Sequence, residues 1–167
     1  STGNAIDFGD LTVSRQSGAQ SACSSTRSVF GGGDGPSTVN VIDYVTTSTT
    51  GNAADFGDKT VAGSYASGIT SNAIRGVATA TPYGTNSTVI EFITIATLGN
   101  AQDFGDLTVS RSALSSTASS TRAVFSNGLN PGTLNTMDYV QIPTRGNAID
   151  FGDSLDTIVA GTSISNG

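Results

Sequence analysis

The sequence predicts an all-β protein built from tandem repeats of several short strands. An eight-residue block, GNAxDFGD, begins at residues 3, 51, 99 and 146, at spacings of 48, 48 and 47 residues. Val, Ile, Thr, Tyr and Phe are spread along the chain, whereas the helix formers Glu and Lys occur once each. Clusters of Gly, Pro, Asn and Ser separate the apolar stretches, as turns do.

The repeats indicate a single domain, residues 1–167, of three full units and one partial unit. The full units cover residues 3–50, 51–98 and 99–145, and the partial unit covers residues 146–167. A catalytic motif is needed once, whereas a structural motif is needed in every unit, so the repetition favours architecture. Disorder is the alternative for a chain rich in Ser, Gly and Thr. It is disfavoured because apolar residues recur in register and interrupt the polar stretches.

Three segments follow the block in each full unit, and we expect a strand in each. The first reads LTVSR at residues 11–15 and 107–111 and KTVAG at residues 59–63. The second reads STRSVFGGG at 25–33, AIRGVATAT at 73–81 and STRAVFSNG at 120–128. The third reads VNVIDYVTT at 39–47, TVIEFITIA at 88–96 and LNTMDYVQI at 134–142. The third alternates with a period of two, and the DFGD segment adds a fourth strand to each unit.

Four strands in a unit of this length match the size of one propeller blade. The order of the segments resembles a blade of the kelch family, which has an Arg before the first strand, a Gly pair ending the second, and an aromatic residue in the third and fourth. The resemblance assigns these positions to Arg15 and Arg111, to Gly31 and Gly32, to Tyr44, Phe92 and Tyr139, and to Phe8, Phe56, Phe104 and Phe151. It implies tandem four-stranded kelch-like blades, as a β-propeller or part of one.

Closure of the array has three possible forms. A propeller usually has at least four blades, and three full units with two leftover strands fall short of that number. The chain is therefore expected to be a piece of a larger propeller, to close with other copies of itself, or to close on itself as a three-fold β-prism or trefoil. An open array exposes strand edges, which favours assembly into a larger body.

The GNAxDFGD block also resembles repeat arrays in virion appendage proteins of aquatic bacteriophages. This resemblance implies a non-enzymatic structural protein of a virion or extracellular appendage, such as a tail fibre, with itself or other virion proteins as partners. Few charges and abundant Ser, Thr and Gly suit a dense extracellular β-structure. No secretory leader is visible, so we expect a mature product or a fragment whose leader lies elsewhere.

Each residue of the block has a structural role available. The opening Gly-Asn suits a turn with positive φ, and the fifth-position Asp can accept backbone hydrogen bonds as Asx turns do. Phe can supply core between sheets, the following Gly permits a bulge or a close backbone approach, and the last Asp can cap the next turn.

Calcium binding is the functional interpretation of the block, because Asp-x-x-Asp and backbone carbonyls supply hard oxygen ligands. Two carboxylates per block are few for such a site, so turn and cap chemistry is favoured and no cofactor is otherwise expected. The candidate ligands are Asp7, Asp10, Asp55, Asp58, Asp103, Asp106, Asp150 and Asp153, eight of the 13 acidic residues.

A second recurring set of charges lies in the strands. Arginines recur in the second segment at Arg27, Arg75 and Arg122, and carboxylates recur in the third at Asp43, Glu91 and Asp138. We expect Arg–carboxylate pairs between neighbouring strands that stabilise each blade. The alternative is a ring of these groups around a channel or binding face.

Composition excludes several classes of function. Net charge is −6 with only seven Lys and Arg, which argues against a nucleic-acid partner. There is no His and Cys23 is the only Cys, so an intrachain disulfide, a Cys/His zinc site and a Ser-His-Asp triad are impossible. The longest apolar run, VIEFITIA at residues 89–96, is too short to span a membrane and contains Glu91. Repeated turn aspartates are poor general acids, so we expect no enzymatic activity.

A receptor- or host-glycan-binding module is the alternative function. Tyr65 and Tyr83 are the only tyrosines outside the repeat pattern, and aromatic residues on loops form sugar platforms. Variable loops at residues 33–38, 81–87 and 126–133 would carry the specificity, because loops on one rim of a repeat scaffold are where recognition tends to occur.

Overall fold

The described part of the protein consists of β-strands and their connections. The computed structural model describes residues 3–15, 20–34, 37–63, 69–82 and 84–159. Within these ranges, twelve strands form three four-stranded antiparallel sheets, so the all-β prediction is confirmed. None of the described residues belongs to a helix long and apolar enough to cross a membrane.

The strands follow one another in chain order within each sheet, so each sheet is an antiparallel meander. The first sheet contains β1 (Gln20–Cys23), β2 (Arg27–Gly31), β3 (Val41–Thr46) and β4 (Ala54–Asp58). The second contains β5 (Ile69–Ser71), β6 (Arg75–Thr79), β7 (Ser87–Thr94) and β8 (Gln102–Arg111). The third contains β9 (Ser115–Ala118), β10 (Arg122–Ser126), β11 (Thr136–Gln141) and β12 (Ile149–Asp153).

Each sheet is shared between two sequence units. Three of its strands come from one unit, and its fourth strand is the GNAxDFGD block that opens the next unit. Nine of the predicted strands are therefore confirmed. They are the second, third and DFGD segments, which form β2–β4, β6–β8 and β10–β12. The first block, residues 3–10, forms no strand.

The strand predicted for the first segment is wrong in the first and second units, and in the third unit the segment belongs to a strand of the preceding sheet. Residues 11–15 and 59–63 form no strand, and residues 107–111 extend β8 instead of starting a sheet. The first strand of each sheet lies further along the chain, in the short polar stretches QSAC, ITS and SSTA. Residues 59–63 instead lie between the first and second sheets, and residues 107–111 continue the last strand of the second sheet toward the third.

Each fourth strand carries a β-bulge at the phenylalanine of DFGD. In the first sheet the register shifts by one residue between Ile42 and Asp43, which leaves Phe56 as the extra residue of β4. The same shift leaves Phe104 and Phe151 as the extra residues of β8 and β12. Since a bulge bends the strand and re-aims a side chain, it allows this phenylalanine to face the next sheet.

Two hydrophobic cores lie between consecutive sheets. The first core joins the first and second sheets and contains Ala22, Val29, Ile42, Phe56, Ile93 and Ile95. The second core joins the second and third sheets and contains Val77, Ile90, Phe92, Phe104, Leu107, Leu114, Ala118, Ala123, Phe125, Val140 and Ile142. Both faces of the middle sheet are therefore buried.

Consecutive sheets are also linked along both of their edges. At one edge the first strands are neighbours, because β1 contacts β5 and β5 contacts β9. At the other edge lie the fourth strands, which carry the repeated block. The block is therefore positioned where one sheet meets the next.

Replacing Phe104 by Ala should lower the free energy of unfolding by about 3–5 kcal/mol, because this side chain is 2% exposed in the second core. Phe151 is the matched control, since it occupies the same block position but is 50% exposed. Phe151→Ala should cost less than about 1 kcal/mol. Urea unfolding of both variants at low protein concentration checks the difference, and equal losses would contradict the described packing.

Candidate functional site: the joint between repeats

The repeated block forms a backbone joint between consecutive units. We define the joint as the Phe-Gly-Asp of one block bound to the Gly-Asn-Ala of the next block. In the first joint, Gly51 N donates to Phe8 O at 2.7 Å, and Ala53 N donates to Asp10 O at 2.8 Å. Asp10 N donates in turn to the side-chain oxygen Oδ1 of Asn52 at 3.0 Å.

The same three hydrogen bonds recur in the second and third joints. Residues 56–58 bind residues 99–101 with distances of 2.8, 2.8 and 3.0 Å. Residues 104–106 bind residues 146–148 with distances of 2.9, 2.7 and 3.2 Å. The recurrence of this geometry at three places indicates that the block connects units. A block binds the preceding block through its Gly-Asn-Ala and the following block through its Phe-Gly-Asp.

The central glycine of DFGD is required by the joint for two reasons. Its φ is +142° at Gly9 and Gly57 and +149° at Gly105, a conformation that side chains rarely adopt. A Cβ at any of the three would also lie 2.4–2.5 Å from the carbonyl oxygen of the glycine that opens the next block. The predicted close backbone approach is therefore confirmed at these positions.

The fifth-position aspartates mostly bond within their own block. Asp7, Asp55 and Asp150 each accept a hydrogen bond at 3.2 Å, through Oδ1, from the backbone N–H two residues later. This is the predicted Asx geometry. The eight candidate calcium ligands do not gather with other acidic or sulfur ligands, because no group of three or more such side chains forms among the described residues. Calcium binding stays a prediction.

The recurring carboxylates of the third strand are buried and paired, but not with the predicted arginines. Asp43 Oδ2 lies 2.5 Å from Arg15 Nη2, and Asp138 Oδ2 lies 2.8 Å from Arg111 Nη1. In the second unit the pair is Lys59 Nζ and Glu91 Oε1, at 3.3 Å. All six side chains are at most 4% exposed.

The predicted pairing fails because of strand register. Arg27 lies opposite Thr46, whereas Asp43 lies opposite Phe30, three residues along β2. At about 3.4 Å per residue the two charges are roughly 10 Å apart along the strand. The other two arginines are displaced from their carboxylates in the same way.

Threonines complete each buried charge network. Thr60 donates to Glu91 Oε2 through its backbone N–H at 2.8 Å and through its hydroxyl at 2.7 Å. Thr108 makes the equivalent pair of bonds to Asp138, and the Thr12 hydroxyl donates to Asp43. Sequence reasoning missed these threonines, although a Thr two residues after each of the first three DFGD motifs was a visible signal.

The recurring arginines of the second strand stack on rings of their own sheet, and two of them also link that sheet to the next. Their guanidinium carbons lie 4.4, 5.0 and 4.8 Å from the ring centres of Tyr44, Phe92 and Tyr139, a cation–π distance. Arg27 Nη1 also donates to Ile95 O at 2.7 Å, and Arg75 Nη1 donates to Ile142 O at 2.8 Å. Both carbonyls come directly after the third strand of the next sheet, so these two arginines join sheets instead of forming part of a ring of free charge.

A polar cleft lies beside the second of these arginines. Arg145 stacks on the Phe92 ring at 4.6 Å, and its Nη2 donates to Gln102 Oε1 at 2.5 Å. Asn100 and Arg75 also line this cleft. Asn100 belongs to the second joint and Arg75 forms one of the arginine links, so we assign this cleft a structural role.

The candidate sugar platforms, Tyr65 and Tyr83, lie outside the residues that the structure describes. Apart from Tyr83 itself, the variable loop at residues 81–87 is described. Asn86 Nδ2 donates to Asn130 Oδ1 at 3.2 Å, so the loops at residues 81–87 and 126–133 meet at one rim. Cys23 is exposed, and its backbone bonds to Ser71 of the neighbouring sheet.

Comparison with known proteins gives no further assignment. No protein-family model and no curated protein matches the sequence of this chain. The joint, the buried pairs and the arginine links are therefore the features from which a function can be inferred.

Replacing Arg111 by Ala should lower the free energy of unfolding by about 3–5 kcal/mol, because it leaves Asp138 buried without its cation. Arg122→Ala is the control, because Arg122 is exposed and should cost about 1 kcal/mol or less. A double-mutant cycle with Asp138→Asn should give strong coupling to Arg111 and none to Arg122. Coupling to Arg122 instead would restore the pairing predicted from sequence.

Replacing Gly105 by Ala should disrupt the third joint, since the new Cβ would lie 2.4 Å from Gly146 O. Gly152 occupies the same block position, also with positive φ, but a Cβ there would meet nothing within 4 Å. Gly152→Ala should therefore cost only the backbone strain, about 1 kcal/mol. Thermal unfolding of the two variants checks this, and similar shifts in Tm would show that the close approach is not limiting.

Proposed function

We propose that this chain is a non-enzymatic structural protein of a virion or extracellular appendage, in which the repeats assemble four-stranded sheets in series. The observation that carries the proposal is the joint, since the block that dominates the sequence is used three times to connect units. The recurring charges are used for the same purpose. They form buried pairs within units and arginine links between sheets.

The proposed arrangement of the sheets is a kelch-like propeller or part of one. Each sheet is a four-stranded meander, and the first strands of successive sheets are neighbours, which is the relation between blades around an axis. A three-fold closure of the same sheets is less favoured. It would bring the third sheet against the first, yet residues 3–5 and residues 151–153 are not joined to each other in the described structure.

Binding of a receptor or host glycan is the second candidate. The contact between Asn86 and Asn130 favours it, because this contact brings two variable loops together at one rim. The proposed partners in the first case are copies of this chain or other virion proteins, and in the second case a surface glycan.

Immunogold labelling with an antibody raised against this chain tests the proposal in its native source. We expect the label on virion appendages or on extracellular filaments, and label confined to the cell interior would refute the proposal. A glycan array probed with the multimerised chain, with and without calcium, separates the two candidates. Saturable, reproducible binding would favour the glycan module, and loss of that binding without calcium would support a metal site at the aspartates.

A further inference from the structure

Two halves of the joint are left open at opposite ends of the described chain. Gly3, Asn4 and Ala5 are exposed, and none of them is bonded to another described residue as Gly51, Asn52 and Ala53 are. At the other end Phe151 is 50% exposed, whereas the equivalent Phe56 and Phe104 are 3% and 2% exposed. A Cβ on Gly152 would meet nothing within 4 Å, where its equivalents meet a carbonyl.

Exposed apolar side chains concentrate at the same two ends. At the first end these are Ile6, Phe8 and Leu11, and at the other end Ile149, Phe151, Leu155, Ile158 and Val159. Only Ile74, Leu98 and Val109 are comparably exposed elsewhere in the described ranges. Exposed apolar side chains mark interaction surfaces when they cluster, and here most of them lie within a few residues of the two open halves in the sequence.

A third interaction is also incomplete on the outer face of the third sheet. Arg27 and Arg75 each donate to a carbonyl of the next sheet, whereas Arg122 is exposed and donates to no such carbonyl among the described residues. The third sheet therefore exposes the arginine that, in the first and second sheets, binds the next sheet.

We propose that residues 151–153 of one copy dock onto residues 3–5 of a second copy, so that copies join head to tail through a fourth joint. This inference rests on the proposed structural function and names its partner. The second copy is the occupant that the structure favours, because both halves are present in one chain and the contact would continue an interface formed three times within it. The two terminal blocks are also identical, GNAIDFGD, so each copy offers the same pair of halves.

The proposed contact has a defined set of bonds. Gly3 N would donate to Phe151 O, Ala5 N would donate to Asp153 O, and Asp153 N would donate to Asn4 Oδ1. The two surfaces differ, so the contact is heterologous, and two joined copies leave one half of each kind free. Such a contact produces a growing chain of copies, or a ring where the rotation closes.

Complementation between two variants tests the proposal. Gly152→Ala blocks one half by placing a Cβ in the path of the partner carbonyl, and Ala5→Pro blocks the other half by removing a donor N–H. Mass photometry and sedimentation velocity over a concentration series should show wild-type mass rising through multiples of one chain. Each variant alone should stay at one chain, and their equimolar mixture should form two-chain particles only, because each contributes one intact half.

Gly84→Ala is the matched control, because Gly84 also has positive φ with nothing within 4 Å but lies away from both ends. It should associate as the wild type does, and urea unfolding should show that all three variants are folded. Wild-type chains that stay single at every concentration, a mixture that forms no two-chain particles, or loss of association in Gly84→Ala would each overturn the docking. If the chain stays single while its antibody still labels an appendage, the docking fails and the proposed function stands.

Discussion

The whole array depends on two backbones approaching within hydrogen-bond distance at each joint. A glycine in DFGD makes this possible, because a Cβ there would lie 2.4–2.5 Å from the partner carbonyl. The phenylalanine before it enters the core between sheets at a bulge, and the asparagine of the next block bonds to the aspartate N–H after it. The phenylalanine, glycine and aspartate of each joint thus determine the packing, the spacing and the register of consecutive sheets.

The remaining interactions divide between holding a unit together and holding units to each other. The buried cation–carboxylate pairs lie within one sequence unit, where they attach the connecting segment to the third strand. Burial of such a pair carries a desolvation cost, so its value is greater for specifying the path of the connection than for overall stability. The arginine links and the joint act between sheets.

Much of the fold could be predicted from sequence because apolar alternation and the repeated block mark the last three strands of every sheet. The first strands were missed because QSAC, ITS and SSTA are short and polar, and tertiary contact rather than local pattern makes them strands. The block's own chemistry was largely predictable, since Gly, Asp and Phe have few roles at such a turn. The partners of Asp43, Glu91 and Asp138 were not, because register separates these carboxylates from the arginines of the neighbouring strand, and the cations that bind them come from the first segment of each unit.

Sharing each sheet between two units has a consequence for how the length of this protein can change. A duplication or loss of one whole unit would keep each sheet complete, because the incoming block supplies a fourth strand for the sheet before it. It would also keep each buried charge paired, since Arg15 and Asp43 lie in one unit, as do Lys59 and Glu91. A duplication or loss of one unit's length that begins at any other point of the repeat also keeps a cation for each carboxylate. An insertion of part of a unit would instead separate the two members of a pair. Genetic exchange between such repeats can therefore alter the number of sheets in whole steps while the surrounding structure stays unchanged.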